Sequence, residues 1–266
     1  NVEGQVIKIV ENLEKLVNGI IQSQKHKNLQ KNNKELQKNL TKCPLCNGYG
    51  MVQIVEKDGK VVFKECECSK KEKLNRMWRN SGINTENLDK TFSNFECWNE
   101  KSKELKKKAT NYYLQFDDIK KDRRNSILLC GNPGSGKTHI ALAIANNMLN
   151  KKNIKVVYMP YRDVLTKIKQ NMLDEEYYKK ILSKYQTADV LLIDDLYKGK
   201  ITESDINIMF ELINYRYLNY LPLIVSTEFT VDKLLDFDEA IGSRLYEMSK
   251  NYLVEIEGKE NNYRLR

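Results

Sequence analysis

Residues 131–138 read Gly-Asn-Pro-Gly-Ser-Gly-Lys-Thr, a G-x-x-x-x-G-K-T string whose residue types suit a triphosphate. The glycines let the backbone wrap so that successive N–H groups face one anion. Lys137 carries a charge able to reach β- and γ-phosphates, and the Thr138 hydroxyl is a ligand type for Mg2+. Gly131, Asn132, Pro133, Gly134, Ser135, Gly136, Lys137, Thr138 and His139 therefore form the candidate nucleotide-binding loop. Further along, Val190-Leu-Leu-Ile-Asp-Asp195 closes on two adjacent acids. Asp194 suits Mg2+, directly or through water, and Asp195 suits the carboxylate that polarises an attacking water. The chemistry these groups spell is binding of a nucleoside triphosphate with Mg2+, and its hydrolysis.

Positioning them requires a particular order of elements. Ile127-Leu-Leu-Cys130 is an apolar run that predicts a buried parallel strand, and Ile140-Ala-Leu-Ala-Ile-Ala145 predicts a helix start. The helix would add its N-terminal dipole to the loop's anion site. Lys155-Val-Val-Tyr-Met159 predicts a second strand, residues 161–185 one or two helices, and Thr202-Glu-Ser-Asp205 the start of another helix. Leu223-Ile-Val-Ser-Thr-Glu228 is a further strand that ends in polar groups. Alternating strands and helices predict an α/β fold with a parallel sheet flanked by helices, its strand ends gathered on one edge. Ser226, Thr227 or Glu228 would then reach the γ-phosphate or the lytic water.

Four of the six cysteines cluster as Cys43-Pro-Leu-Cys46 and Cys66-Glu-Cys68. Two strand-like segments, around Met51-Val-Gln-Ile-Val55 and Lys60-Val-Val-Phe-Lys64, flank Lys57-Asp58-Gly59, a hairpin turn signal. A hairpin returns its ends to one place, so Cys43, Cys46, Cys66 and Cys68 become candidate ligands of a structural Zn2+ site. Disulfides are the other use of such pairs, in a compartment more oxidising than the one expected here. Cys97 and Cys130 read as ordinary thiols.

The chain has 266 residues, 30% of them charged, and a formal net charge of +9, with a mean hydropathy of −0.62 and a pI of about 9.0. That length suits one core-forming domain plus a smaller appendage. The charge favours a polyanionic partner, nucleic acid ahead of membrane. No apolar run approaches the ~20 residues of a membrane span, and Asn1-Val-Glu-Gly4 opens with no leader pattern, which predicts a cytoplasmic protein. Val6, Val10, Leu13, Val17 and Ile20 form a heptad-like stripe. The expected organisation is a helical, partner-binding region over residues 1–40, a zinc module over 41–69, a basic linker over 70–90 and an ATPase domain over 91–266.

Taken in order, several strings resemble the AAA+ ATPases of the helicase-loader type, the DnaC/DnaI group, in the shorter form of phages and prophages. They are Thr91-Phe-Ser-Asn-Phe95, the loop at 131–139, Leu191-Leu-Ile-Asp-Asp195, Ile213-Asn-Tyr-Arg-Tyr217, Gly242-Ser-Arg-Leu245 and Asn262-Tyr-Arg-Leu-Arg266. The resemblance implies that Arg244 is an arginine finger inserted into a neighbouring subunit's ATP site, with Arg216 a second candidate across that interface. It implies little or no helical lid, with Arg264 or Arg266 standing in for the lid's arginine. Asp195 stands where many relatives have Glu, so slow hydrolysis is expected, and Glu228 stands where related loaders carry Asn. The implied function is ATP-dependent loading of a replicative DNA helicase, with single-stranded DNA and self-association through ATP interfaces. A transposition accessory ATPase of the IstB type and an ATP-gated adaptor with negligible hydrolysis are the alternatives.

Overall fold

The computed structural model describes residues 43–55 and 59–266, so the helix expected over residues 1–40 lies outside the described residues. The chain divides into two compact units, Asn1–Lys73 and Leu74–Arg266.

In the first unit, β1 (Met51–Val55) and β2 (Val61–Glu65) pair antiparallel, with Met51 opposite Glu65 and Val55 opposite Val61. This is the hairpin that the turn signal predicts. α1 (Glu67–Ser81) follows at once. The stretch expected as a linker is thus helical as far as Ser81. From Leu74 onward it belongs to the second unit, where Met77 is buried in a core with Ile83, and Trp78 Nε1 donates to Asn150 Oδ1 at 2.9 Å. Met77 and Trp78 are packing residues.

The second unit continues with α2 (Glu100–Ile119), a helix the strand-and-loop reading did not anticipate. Its signal is present: Leu105, Ala109, Tyr112 and Phe116 recur at helical spacing, all buried, and Asn99 and Ser102 form a capping box. Then come β3 (Ile127–Gly131), α3 (Lys137–Lys152), β4 (Val156–Pro160), α4 (Tyr161–Gln170) and α5 (Glu175–Gln186). β5 (Val190–Leu196), α6 (Glu203–Leu218), β6 (Leu223–Thr227), α7 (Val231–Phe237), α8 (Glu239–Ser249) and β7 (Leu253–Ile256) complete it. Beyond β7 the described chain holds two single turns of 3-10 helix.

The sheet runs β4-β5-β6-β3-β7, every pair parallel, with Ile127 opposite Ile224 and Leu128 opposite Leu253. β3 is buried at every position, which explains its unbroken apolar run. Alternation divides its side chains between two cores. Ile127 and Leu129 pack with Ile140, Ile144 and Met148 of α3 and with α2, while Leu128 and Cys130 pack on the other face with residues of α4, α6 and α8. Each buried Leu, Ile or Met contributes roughly 1.5–3 kcal/mol over an exposed one. The two layers of helices thereby hold the strand ends, and the loops on them, in fixed places.

Arg216 is placed differently from its expected interface role. It has no solvent exposure, and its guanidinium donates to the carbonyls of Tyr185, Gln186 and Ala188 at 2.9–3.0 Å and of Pro222 at 2.6 Å. Four backbone acceptors between α5 and the entry to β6 make it a structural cross-link, with no path to a neighbouring chain.

Candidate nucleotide site

The loop between β3 and α3 sits where the sheet edge opens. Gly131 has a φ of 105°, and a Cβ there would lie 2.0 Å from the Ile256 carbonyl oxygen, so only glycine lets β3 and β7 close at this point. Asn132 N–H donates to that same carbonyl at 2.8 Å. Gly134, with φ 74°, admits the C-terminal segment: Tyr263 N–H donates to its carbonyl at 3.0 Å.

Lys137 is the first residue of α3, and its ammonium folds back on the loop. It donates to the carbonyls of Gly131 at 2.8 Å and Asn132 at 2.6 Å and to Ser135 Oγ at 3.2 Å. Burial pulls its pKa down to about 8. His139 Nε2 lies 3.1 Å from the Thr91 carbonyl, and its ring meets Phe95 edge-on at 5.2 Å. This is how the Thr91–Phe95 string reaches the loop.

The two acids are brought to the loop and given different surroundings. Asp194 is buried; its Oδ1 accepts from Thr138 Oγ1 at 2.9 Å and from Ser226 Oγ at 2.5 Å, and its Oδ2 accepts from Tyr158 OH at 3.1 Å. Burial pushes its pKa up, against the pull of those hydroxyls. Asp195 follows a register shift between β5 and β6 and adopts φ 58°, which turns its carboxylate toward the cavity. Its N–H donates to Ser226 Oγ at 2.9 Å.

A cavity of about 430 Å3 opens over the loop, lined by Pro133, Gly134, Ser135, Gly136, Lys137, Thr138 and His139 together with Asp195, Glu228 and Arg264. Of Ser226, Thr227 and Glu228, the polar groups expected at the end of this strand, only Glu228 lines it. Ser226 faces the two acids, and Thr227 Oγ1 turns inward to the Leu196 carbonyl at 2.9 Å. Arg266 instead pairs with Glu96 at 3.1 Å. Arg244 stands on α8 outside this chain's cavity, where Nε donates to Asn214 Oδ1 at 3.1 Å and Nη1 to the Ala240 carbonyl at 2.6 Å. Among the residues that escaped the sequence reading are Tyr158, in the middle of the neighbouring strand, and Lys198, on the cavity wall three residues beyond Asp195. A hydroxyl and a carboxylate meeting at one point, Thr138 with Asp194, offer the hard oxygen donors that suit Mg2+.

In the first unit the four thiols of Cys43, Cys46, Cys66 and Cys68 lie within 4.8 Å of one another. Cys43 and Cys66 sulfurs are 3.7 Å apart and those of Cys46 and Cys68 are 3.3 Å. Tetrahedral zinc thiolates at ~2.3 Å per bond require S···S distances near ~3.8 Å, so the donor set fits Zn2+, while a disulfide at ~2.05 Å does not match. Backbone N–H groups of Cys46 and Leu45 draw the Cys43 thiol down to about 6, while the neighbouring sulfurs push Cys68 up.

The sheet order, the loop at the end of β3 and the acids at the end of β5 define a P-loop nucleotide-binding domain of the AAA+ class. Within that class the chain belongs to the family of IstB-like ATP binding proteins, whose profile matches residues 52–266. It is 35% identical over 234 residues to the phage-like element PBSX protein XkdC of Bacillus subtilis (strain 168), covering 84% of this chain and 86% of that protein. It is 39% identical over 202 residues to YqaM of the same organism, covering 73% of this chain and 64% of YqaM, under two thirds of that protein's length. The crystal structure of the DnaC helicase loader shares the fold, with a TM-score of 0.57 at 22% identity, over 65% of this chain and 99% of that one. Among the described residues no helix is long and apolar enough to cross a membrane.

Proposed function

We propose that this protein is an ATP-dependent loader of a replicative DNA helicase. The observation that carries the reading is the joining of a candidate nucleotide site, from Lys137 through Thr138 and Asp194 to Asp195 and Glu228, to a fold that matches almost the whole of a helicase loader's chain. Lys137 would hold the β- and γ-phosphates, and Thr138 and Asp194 would hold Mg2+, which supplies charge neutralisation across the phosphates. Asp195 would orient a water whose oxygen bonds to the γ-phosphorus as the bond to the β,γ-bridging oxygen breaks, the water's proton passing toward the carboxylate. Asp is one methylene shorter than Glu, so hydrolysis would be slow and stimulated by a partner or by DNA.

Arg244, held outside its own cavity, would complete the site of a neighbouring copy. The +9 chain would hold single-stranded DNA mainly by phosphate contacts, and the unit with the zinc site, together with residues 1–40, would bind the helicase. The family profile supports a second reading, a transposition accessory ATPase of the IstB type.

Mass photometry of the protein with a replicative helicase, with and without ATP, separates the two. A discrete mixed assembly that disappears on deleting residues 1–69 supports the loader. No complex under any nucleotide condition would transfer the reading to the transposition ATPase.

A further inference from the structure

Lys198 sits between the two acids of the cavity, its ammonium 2.8 Å from Asp195 Oδ2 and 3.2 Å from Glu228 Oε1. It lines the same cavity as Lys137 and Thr138. The turn that carries it is firmly built. Asp195 and Tyr197 both take left-handed backbone, with φ 58° and 62°, which non-glycine residues adopt only where surrounding structure enforces it. The enforcing contact is Tyr197, whose buried ring packs against Tyr161, Phe229 and Phe237 at centroid distances of 5.8, 6.0 and 4.9 Å. Lys198 N–H closes the turn on the Asp195 carbonyl at 3.1 Å. The side chain that leaves this turn is directed back over the strand ends.

Charge shows what it is for. Asp195 and Glu228 set two carboxyl groups on the cavity wall where the γ-phosphate must lie if Lys137 reaches it. Ionised carboxylates give that phosphate no hydrogen bond and repel it. An ammonium has three N–H donors; Asp195 and Glu228 engage two, and one remains. We infer that Lys198 is a second γ-phosphate-binding donor of this site, beside Lys137, and that Glu228 is its positioning residue. Glu228 thereby takes part in sensing the phosphate through Lys198 instead of by its own contact.

The arrangement also links binding to hydrolysis. A γ-phosphate draws the ammonium from Asp195 and leaves that carboxylate for water, whereas ADP leaves Lys198 on Asp195. The inference rests on the nucleotide-site reading and deepens it.

The test is fluorescence-anisotropy titration with Mg2+ and fluorophore-labelled AMPPNP or ADP. Lys198→Ala should weaken AMPPNP about tenfold or more, the loss of one charge-assisted hydrogen bond, and leave ADP within about twofold. Intact ADP binding shows that the variant is folded. Lys198→Arg should retain most of the triphosphate preference. Glu228→Ala should weaken AMPPNP less, and should add nothing in the Lys198→Ala background, the mark of coupled residues. Equal effects of Lys198→Ala on both nucleotides, or on neither, would overturn the assignment while the ATP site stands. Tighter AMPPNP binding by Glu228→Ala in both backgrounds would overturn the positioning role. A wild-type protein that binds neither nucleotide overturns the site reading, and this inference with it.

Discussion

Thr138 donates its hydroxyl to Asp194 Oδ1 at 2.9 Å, joining positions 56 residues apart in the chain. The bond exists because β3 and β5 flank β6 in one parallel sheet, so a residue in the first turn of α3 meets an acid near the end of β5. Ser226 of β6 and Tyr158 of β4 supply the remaining donors to the same carboxylate. Two strands and one helix thus converge on a single buried acid carried by a third strand.

Replacing that acid separates its two roles. Asp194→Ala leaves the Thr138, Ser226 and Tyr158 hydroxyls without their acceptor, a loss of about 1–3 kcal/mol, or a melting temperature lower by several degrees. Asp194→Asn keeps the shape and an acceptor oxygen, so it should melt well above Asp194→Ala. It should nonetheless lose the Mg2+-dependent tightening of ATP binding. Thermal melts and calorimetric titrations with and without Mg2+ check both; equal melting of the two variants would refute the convergence argument.

Lys137 makes the site sensitive to alkali. Its pKa in the free protein is about 8, lowered by burial, and a bound triphosphate beside it favours the charged form and raises that value. Binding therefore takes up a proton wherever the free lysine has begun to lose one. By linkage, ATP affinity should be flat below about pH 8 and fall above it, by up to about tenfold per pH unit. Lys137→Arg should remove the inflection, because a guanidinium keeps its proton throughout. A wild-type profile flat to pH 10 would contradict the burial of this lysine.

Much of this arrangement was legible in the sequence because the signals were local. The G-x-x-x-x-G-K-T string, the apolar runs ending in Asp194 and Glu228, and the paired cysteines each announce their chemistry within a few residues. What was not legible depends on tertiary contact. β7 has only four residues, Leu253-Val-Glu-Ile256, and its role as the closing strand follows from the Gly131 backbone beside it. Lys198 reads as one more surface lysine until the left-handed turn at Asp195 and Tyr197 points it at the cavity. Arg216 and Arg244 are both arginines beside Tyr or Leu in motif strings, and only burial tells them apart.

The cysteine cluster predicts bound metal. Protein purified without chelator should carry about one zinc per chain, and Ser at any of Cys43, Cys46, Cys66 or Cys68 should remove it, while Ser at Cys97 or Cys130 should not. Because the ligands bind as thiolates, zinc should be released as pH falls. Elemental analysis gives the stoichiometry. Limited proteolysis should then show cleavage within residues 43–68 appearing only when zinc is lost. Full protection of that segment in strong chelator would indicate that metal does not hold it.

The two arginines should fail in opposite ways. Arg216→Met removes the shared donor of four backbone carbonyls and should cost about 1–3 kcal/mol for each buried acceptor left unpaired, seen as a large fall in melting temperature. Arg244 is half-buried on α8 beside Phe210 and Tyr217, so Arg244→Ala should melt near the wild type yet hydrolyse ATP poorly. If Arg244 serves a neighbouring copy, its loss is complemented in trans. Chains with Lys137→Ala keep the finger but lack a working loop; chains with Arg244→Ala keep the loop but lack the finger. Mixed in equal amounts, roughly a quarter of randomly formed interfaces would pair an intact loop with an intact finger. Hydrolysis by the mixture should therefore recover to about that fraction of the wild-type assembly, although each variant alone is nearly inactive. No recovery, in a mixture shown by mass to co-assemble, would mean that Arg244 does not act across the interface.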